Sequence, residues 1–215
     1  MDWRLCFIAD ADAAAGRDLP RIVREVAAAG ATLIQLRAKN LSARDFLAMA
    51  KTLAALLSPL GIPLIINDRV DIALACGAGG VHLGREDMPY AEARRLMGRE
   101  RIIGLSVTTA GQAVEAERLG ADCLGVWPVF PTRTKTTDQP PLGIQGLRRV
   151  RKRVKTPLLA VGGITAANAA SVFAAGADGV AVVSAILSAP DPARAAAALR
   201  AAAVPPRRNV LPDRK

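Results

Sequence analysis

Short apolar runs, bounded by turn residues and separated by alanine-rich stretches, recur from one end of the chain to the other. Eight of them, at 5–8, 33–37, 63–67, 80–83, 102–106, 123–126, 157–161 and 179–183, are brief and β-branched and read as buried parallel strands. Between them the pattern turns helical, at 21–29, 43–57, 91–96, 110–119 and 167–175. Eight strand–helix alternations without a break in composition predict one parallel sheet, and eight is the number that closes it. The expected fold is therefore α/β, a single-domain TIM (βα)8 barrel over residues 1–204, followed by a basic, mobile C-terminal tail over 205–215.

A weak internal repeat agrees with this. Gly-Ala occurs at Gly30-Ala31, Gly77-Ala78, Gly120-Ala121 and Gly176-Ala177, each shortly before an even-numbered strand. The glycine is placed to end the preceding helix in a left-handed conformation. The stretch 127–142 is the longest without helix or strand signals and is rich in Pro, Thr and Lys. It follows strand six, so it should lie at the C-terminal face of the barrel, where a mobile lid is expected.

Composition narrows the partners. Hydrophobic residues make up 51% of the 215 positions, which excludes a disordered chain. Aromatics at 3% are too few for a platform that stacks single-stranded nucleic acid. A formal charge of +10 favours anionic ligands. The basic cluster around Arg148 to Arg153 reads as the solvated face of a helix, so no nucleic-acid partner is expected. Cys6, Cys76 and Cys123 have no CxxC spacing and read as buried free thiols of a reducing compartment. No leader pattern and no uninterrupted membrane span is visible, so a cytoplasmic protein with no membrane partner is expected.

The candidate chemistry gathers at the strand ends. Asp68 follows the run at 63–67, and Asp87 lies three residues beyond Gly84, which closes the fourth run. Two carboxylates converging on one face, with cations nearby, suggest Mg²⁺ shared with a phosphorylated substrate. Gln35, Arg37 and Lys39 alternate at the end of strand two, and period two aims all three to one side. Gly162-Gly163 after strand seven and Val183-Ser184 after strand eight stand where TIM barrels often bind phosphate. Ser106 ends strand five, while Thr132, Thr134 and Lys135 lie in the long loop and suggest a second phosphate contact. His82 is the only histidine, and a packed, hydrogen-bonded role inside the barrel is preferred to a base near the metal.

Taken together, Gln35-Leu-Arg-Ala-Lys39, Ile66-Asn-Asp-Arg-Val-Asp71, Gly80-Val-His-Leu-Gly84 with Asp87, Gly104-Leu-Ser106, Pro128-Val-Phe-Pro-Thr-Arg-Thr-Lys135, Gly162-Gly-Ile-Thr165 and Val182-Val-Ser184 resemble the thiamine phosphate synthase family. The resemblance implies a transferase of thiamine biosynthesis. It would join a hydroxymethylpyrimidine diphosphate to a thiazole phosphate, both small-molecule substrates, releasing pyrophosphate. It implies Asp68 and Asp87 as Mg²⁺ ligands, and Gln35, Arg37, Lys39, Asn67, Ser106 and Lys135 as contacts to the pyrimidine diphosphate. Lys135, Arg37 and Ser106 would serve the reaction itself. Thr132, Thr134, Gly163, Val183 and Ser184 would form the thiazole phosphate pocket. Barrels of this family commonly self-associate, so a homo-oligomer is compatible.

Three residues depart from the family pattern: Trp127 where a small residue is usual, Thr108 where histidine is commoner, and Arg85 where glutamine is commoner. Trp127 either narrows the pocket or faces the helices. The rival readings are a thiazole tautomerase of the same family, a catalytically silent phosphate-binding or regulatory barrel, and a sugar-phosphate isomerase. The tautomerase uses a histidine near the position held here by Pro128. A silent barrel is possible because fold alone does not fix function. An isomerase needs an acid–base pair, and no compelling one is visible.

Overall fold

The structure, a computed structural model, describes residues 1–132, 134 and 139–203. The tail at 205–215, Arg133 and Lys135 lie outside the described residues, as does the middle of the stretch expected to form a lid. Eight parallel strands close into a barrel in chain order: β1 Leu5–Asp10, β2 Leu33–Arg37, β3 Leu64–Asn67, β4 Gly80–Leu83, β5 Ile102–Val107, β6 Cys123–Val126, β7 Leu158–Val161 and β8 Gly179–Val182, with β8 returning to β1. Around them run α1 Leu19–Ala28, α2 Ala43–Leu57, α3 Val70–Ala75, α4 Tyr90–Met97, α5 Ala110–Leu119, α6 Gly143–Arg151, α7 Ala166–Ala174, the single turn α8 Ser184–Leu187 and α9 Pro192–Ala202. Among the described residues no helix is long and apolar enough to cross a membrane.

Strand β1 runs two residues past the expected end at 8 and carries Asp10 to the barrel rim. Helix α6 bears the basic cluster: Leu147 and Val150 are buried, while Arg148 and Arg149 are exposed, as expected of a solvated face. Of the three thiols, Cys6 and Cys123 are buried but Cys76 is only partly so. Cys76 caps α3 at its open end instead of entering the core.

The pairing register decides what faces inward. Ile8 stands beside Gln35, Gln35 beside Ile65, Asn67 beside His82, His82 beside Gly104 and Ser106 beside Gly125. With a side-chain period of two, these positions share the interior face. The interior divides by height. Near the strand starts it is a small apolar cluster of Cys6, Leu33, Ile65, Cys123, Leu159 and Ala181. Near the strand ends it is polar, with Asp10, Gln35, Asn67, His82 and Ser106. The larger apolar cluster lies outside the barrel, between strands and helices.

The Gly-Ala repeat is a set of four helix terminations. The glycines sit at φ of 107°, 68°, 93° and 99°, open to residues without a Cβ. In each, the glycine N–H donates three residues back and the alanine N–H five residues back, the bonds of a Schellman motif. The residue after the alanine then ties the helix end to the sheet. The Asp122 carboxylate accepts from the Ile103 N–H at 2.7 Å and from Arg94 of α4 at 2.5 Å. The Asp178 carboxylate does the same for the Leu158 N–H at 2.8 Å and Arg151 of α6 at 2.9 Å.

Candidate active site

The C-terminal ends of the strands enclose a cavity of about 330 Å³. Gln35, Arg37, Lys39, Asn67, Asp68, Asp87, Ser106, Thr132, Thr134, Gly163, Val183 and Ser184 all line it. Every described residue that the sequence nominated is therefore in one place. Lys135 lies outside the described residues.

The arc from β2 to β4 carries the charge. The Lys39 ammonium pairs with the Asp68 carboxylate, and Arg37 Nη1 donates to Asp10 Oδ2 at 2.5 Å. Asp68 sits at φ 65°, a left-handed conformation that Asp tolerates better than most residues. Its own N–H donates to the His82 carbonyl at 2.8 Å, which turns the chain at the end of β3. Asp87 Oδ2 accepts from the Gly84 N–H at 2.7 Å. Burial first, and then the neighbouring Asp68 carboxyl, hold Asp87 above the ordinary carboxylate range, against the Gly84 N–H and Lys39. The two aspartates thus form a crowded acidic pair. Among the described residues no group of three or more His, Cys, Asp or Glu side chains gathers.

The floor is apolar, with Ile8, Leu159, Val161, Ala181 and Gly125 between the charged arc and the opposite wall. His82 rises from it, its Nε2 2.9 Å from Ser106 Oγ. This is the packed, hydrogen-bonded histidine preferred from the sequence, and it orients the Ser106 hydroxyl.

The arc from β6 to β8 carries backbone and hydroxyl groups. Thr134 Oγ1 lies 3.4 Å from Ser184 Oγ, joining the long loop to the start of α8. Gly163, at φ 63°, meets that loop closely: a Cβ there would stand 2.4 Å from the Pro131 carbonyl and 2.8 Å from Phe130 Cβ. Loop packing is thus an independent reason for glycine at this position. The base of the loop is pinned, with the Val129 N–H on the Val161 carbonyl at 2.8 Å and the Leu142 N–H on the Pro128 carbonyl at 2.9 Å.

Of the three departures from the family pattern, Trp127 and Arg85 line the cavity. Trp127 therefore narrows the pocket instead of facing the helices. Thr108 is turned away, with its N–H and hydroxyl donating to Gln112 Oε1 at 2.7 and 3.0 Å. Asp10 was not among the sequence candidates, yet it lines the same cavity. The signal for it is the one that marks Asp68, a carboxylate directly after an apolar run.

Comparison with known proteins adds an independent line. The thiamine-phosphate synthase of Albidiferax ferrireducens is 52% identical over 197 residues, covering 92% of this chain and 90% of that one. The thiamine-phosphate synthase of Chloroflexus aurantiacus is 47% identical over 201 residues, covering 94% and 93%. Among solved structures, a thiamine phosphate pyrophosphorylase from Pyrococcus furiosus superposes with a TM-score of 0.86 at 40% identity, covering 94% of this chain and 96% of that chain. A family model described as thiamine monophosphate synthase matches residues 5–186. That match runs from the first residue of β1 into α8 and takes in every strand end around the cavity, so the chain belongs to the thiamine monophosphate synthase family.

Proposed function

We propose that the chain joins 4-amino-2-methyl-5-hydroxymethylpyrimidine diphosphate to a thiazole phosphate, giving thiamine phosphate and pyrophosphate. The observation that carries this reading is that one cavity holds three parts: a cationic and acidic arc at β2–β4, a hydroxyl and glycine arc at β6–β8, and an apolar floor between them. Such a site suits two anionic groups held apart with two rings meeting in the middle.

The C–O bond between the pyrimidine methylene and the diphosphate breaks, and the thiazole nitrogen forms the new C–N bond. Arg37 and Lys39 offset the charge that builds on the departing diphosphate. Lys135 joins them on the strength of the loop motif alone. Ser106, oriented by His82, and Gln35 and Asn67 align the pyrimidine. Thr132, Thr134, Ser184 and the backbone at Gly163 and Val183 hold the thiazole phosphate. Positioning two bound substrates supplies what a strong base would otherwise have to. The apolar floor keeps water from the electron-poor carbon.

Asp68 and Asp87 fit a Mg²⁺ ion. Mg²⁺ is commonly held by one or two carboxylates and completed by phosphate oxygens and water, so it needs no third protein ligand. Burial first and the Asp68 carboxyl second raise Asp87, a cost that a bound divalent cation would relieve. When bound, the ion would neutralise the diphosphate and improve it as a leaving group. The three free thiols support a reducing compartment, the cytoplasm, for this reaction.

The test is an end-point assay of the purified chain with both substrates. Thiamine phosphate and pyrophosphate in equal amounts are expected. Binding of both substrates without product would favour the silent barrel.

A further inference from the structure

Among the described charged residues that line the cavity, only Asp10 is buried, its side chain 3% exposed against 22% for Arg37. A carboxylate this enclosed must have its oxygens partnered. Asp10 Oδ1 accepts the backbone N–H groups of Asp12 and Ala13, each at 3.0 Å. Oδ2 accepts from Arg37 Nη1 at 2.5 Å. Two residues on, Asp12 Oδ2 accepts the backbone N–H of Lys39 at 3.0 Å. The match follows from register: β1 and β2 pair with Asp10 opposite Arg37, and both contacts span 27 residues. Two acidic residues at the end of β1 thus hold two cationic residues at the end of β2.

We propose that Asp10 is a positioning residue for the diphosphate end of the site. It fixes the Arg37 guanidinium through one N–H and leaves the others to face the cavity. Asp12 holds the turn from which Lys39 projects. The proposal rests on the reading that Arg37 and Lys39 receive the diphosphate. An arginine held in place before ligand arrives loses less side-chain freedom on binding, and its planar fork is aimed at the phosphate oxygens.

Asp10→Asn separates this from a charge effect. The amide oxygen can still accept from the Asp12 and Ala13 N–H groups, so the β1 end stays folded. The amide NH₂ then confronts the Arg37 N–H, donor against donor. Loss of a negative charge alone would free Arg37 and tighten anion binding, whereas loss of positioning weakens it. Calorimetric titration with inorganic pyrophosphate, in the presence of Mg²⁺, reads the sign. The Kd for pyrophosphate should rise on the order of 10-fold, as for other partners that orient a binding group. The Kd for thiazole phosphate should stay near the unaltered protein's, while the melting temperature falls because the buried carboxylate–guanidinium pair is broken. Unchanged or tighter pyrophosphate binding would overturn the proposal, as would equal weakening of both ligands.

A ligand-free measurement keeps the proposal separate from the function it rests on. The guanidinium ¹⁵N–¹H signal of Arg37 should be protected in the unaltered protein and lost in Asp10→Asn. If the unaltered protein binds no pyrophosphate, the functional reading fails, and this signal still decides Asp10. A signal that persists in Asp10→Asn shows that Asp10 does not hold Arg37.

Discussion

His82 points into the barrel from β4, and its ring lies over Gly104 of β5 and Gly125 of β6. A Cβ at 104 would stand 2.5 Å from His82 Nδ1 and 2.9 Å from Cys123 Sγ, and one at 125 would stand 2.9 Å from His82 Cε1. Glycine at both positions makes the space in which the ring reaches Ser106. Gly104→Ala should push the ring off Ser106 and cost about 1–3 kcal/mol as an overpacked core. The urea midpoint and the turnover should both fall, and an unchanged midpoint would show that the ring can yield freely. The thiols beside it are inert for a different reason. Burial pushes Cys6 up to about 12 and raises Cys123 as well. At pH 8 neither should react with a thiol reagent until the chain unfolds, while the partly exposed Cys76 should react in the native protein. A native-state count above one thiol would contradict this. The sign carries to stability: these raised thiols add stability below the unfolded value, roughly pH 8.5, that drains away as pH climbs toward 12. Asp68 is legible at this scale because it directly follows a buried run. Asp10 closes such a run as well, but the expected strand ends at 8 and so leaves it uncounted.

Four helices end on a Gly-Ala pair that the sequence displays openly, and at three of the four the next side chain hydrogen-bonds the start of a neighbouring strand. Thr32 serves Leu5, Asp122 serves Ile103 and Asp178 serves Leu158. Asp178→Ala would leave the Leu158 N–H without its acceptor and take one of Arg151's, which keeps the Val154 and Thr156 carbonyls. A loss of about 1–3 kcal/mol is expected, read as a lower urea midpoint with an unchanged slope. A midpoint equal to the unaltered protein's would mean that water replaces the carboxylate without cost. The strands and the long α2 were legible because run length and punctuation agree. Helix α3 was not, since six residues make less than two turns and show no periodicity. In α6 the apolar stripe of Leu147 and Val150 is outnumbered by arginine, and α8 is one turn long. These elements form because the barrel supplies a surface for them, which is tertiary information.

The barrel as a whole sorts its interior by height, apolar where the strands begin and polar where they end. Once eight parallel strands are recognised, every residue at a strand end is committed to one face, and the site candidates converge there without further assumption. The pairing within that face was not legible. That Lys39 rests on Asp68, and Arg37 on Asp10, depends on turn geometry and inter-strand register. Trp127 belongs here too: β6 ends at Val126 on the outer face, so the next residue falls on the inward side and lines the cavity. On the proposed function this rim is one diphosphate-handling site built around Asp68 and Asp87. The most direct test measures the rate of thiamine phosphate formation against Mg²⁺ concentration for the unaltered protein, Asp68→Asn and Asp87→Asn. Asparagine is the right replacement at 68 because it tolerates the left-handed backbone there, so a loss of rate reports the charge and not strain. A chelator should abolish the unaltered protein's rate, and each variant should fall by about 100-fold or more. A rate indifferent to the chelator, or near-normal turnover in both variants, would contradict this reading.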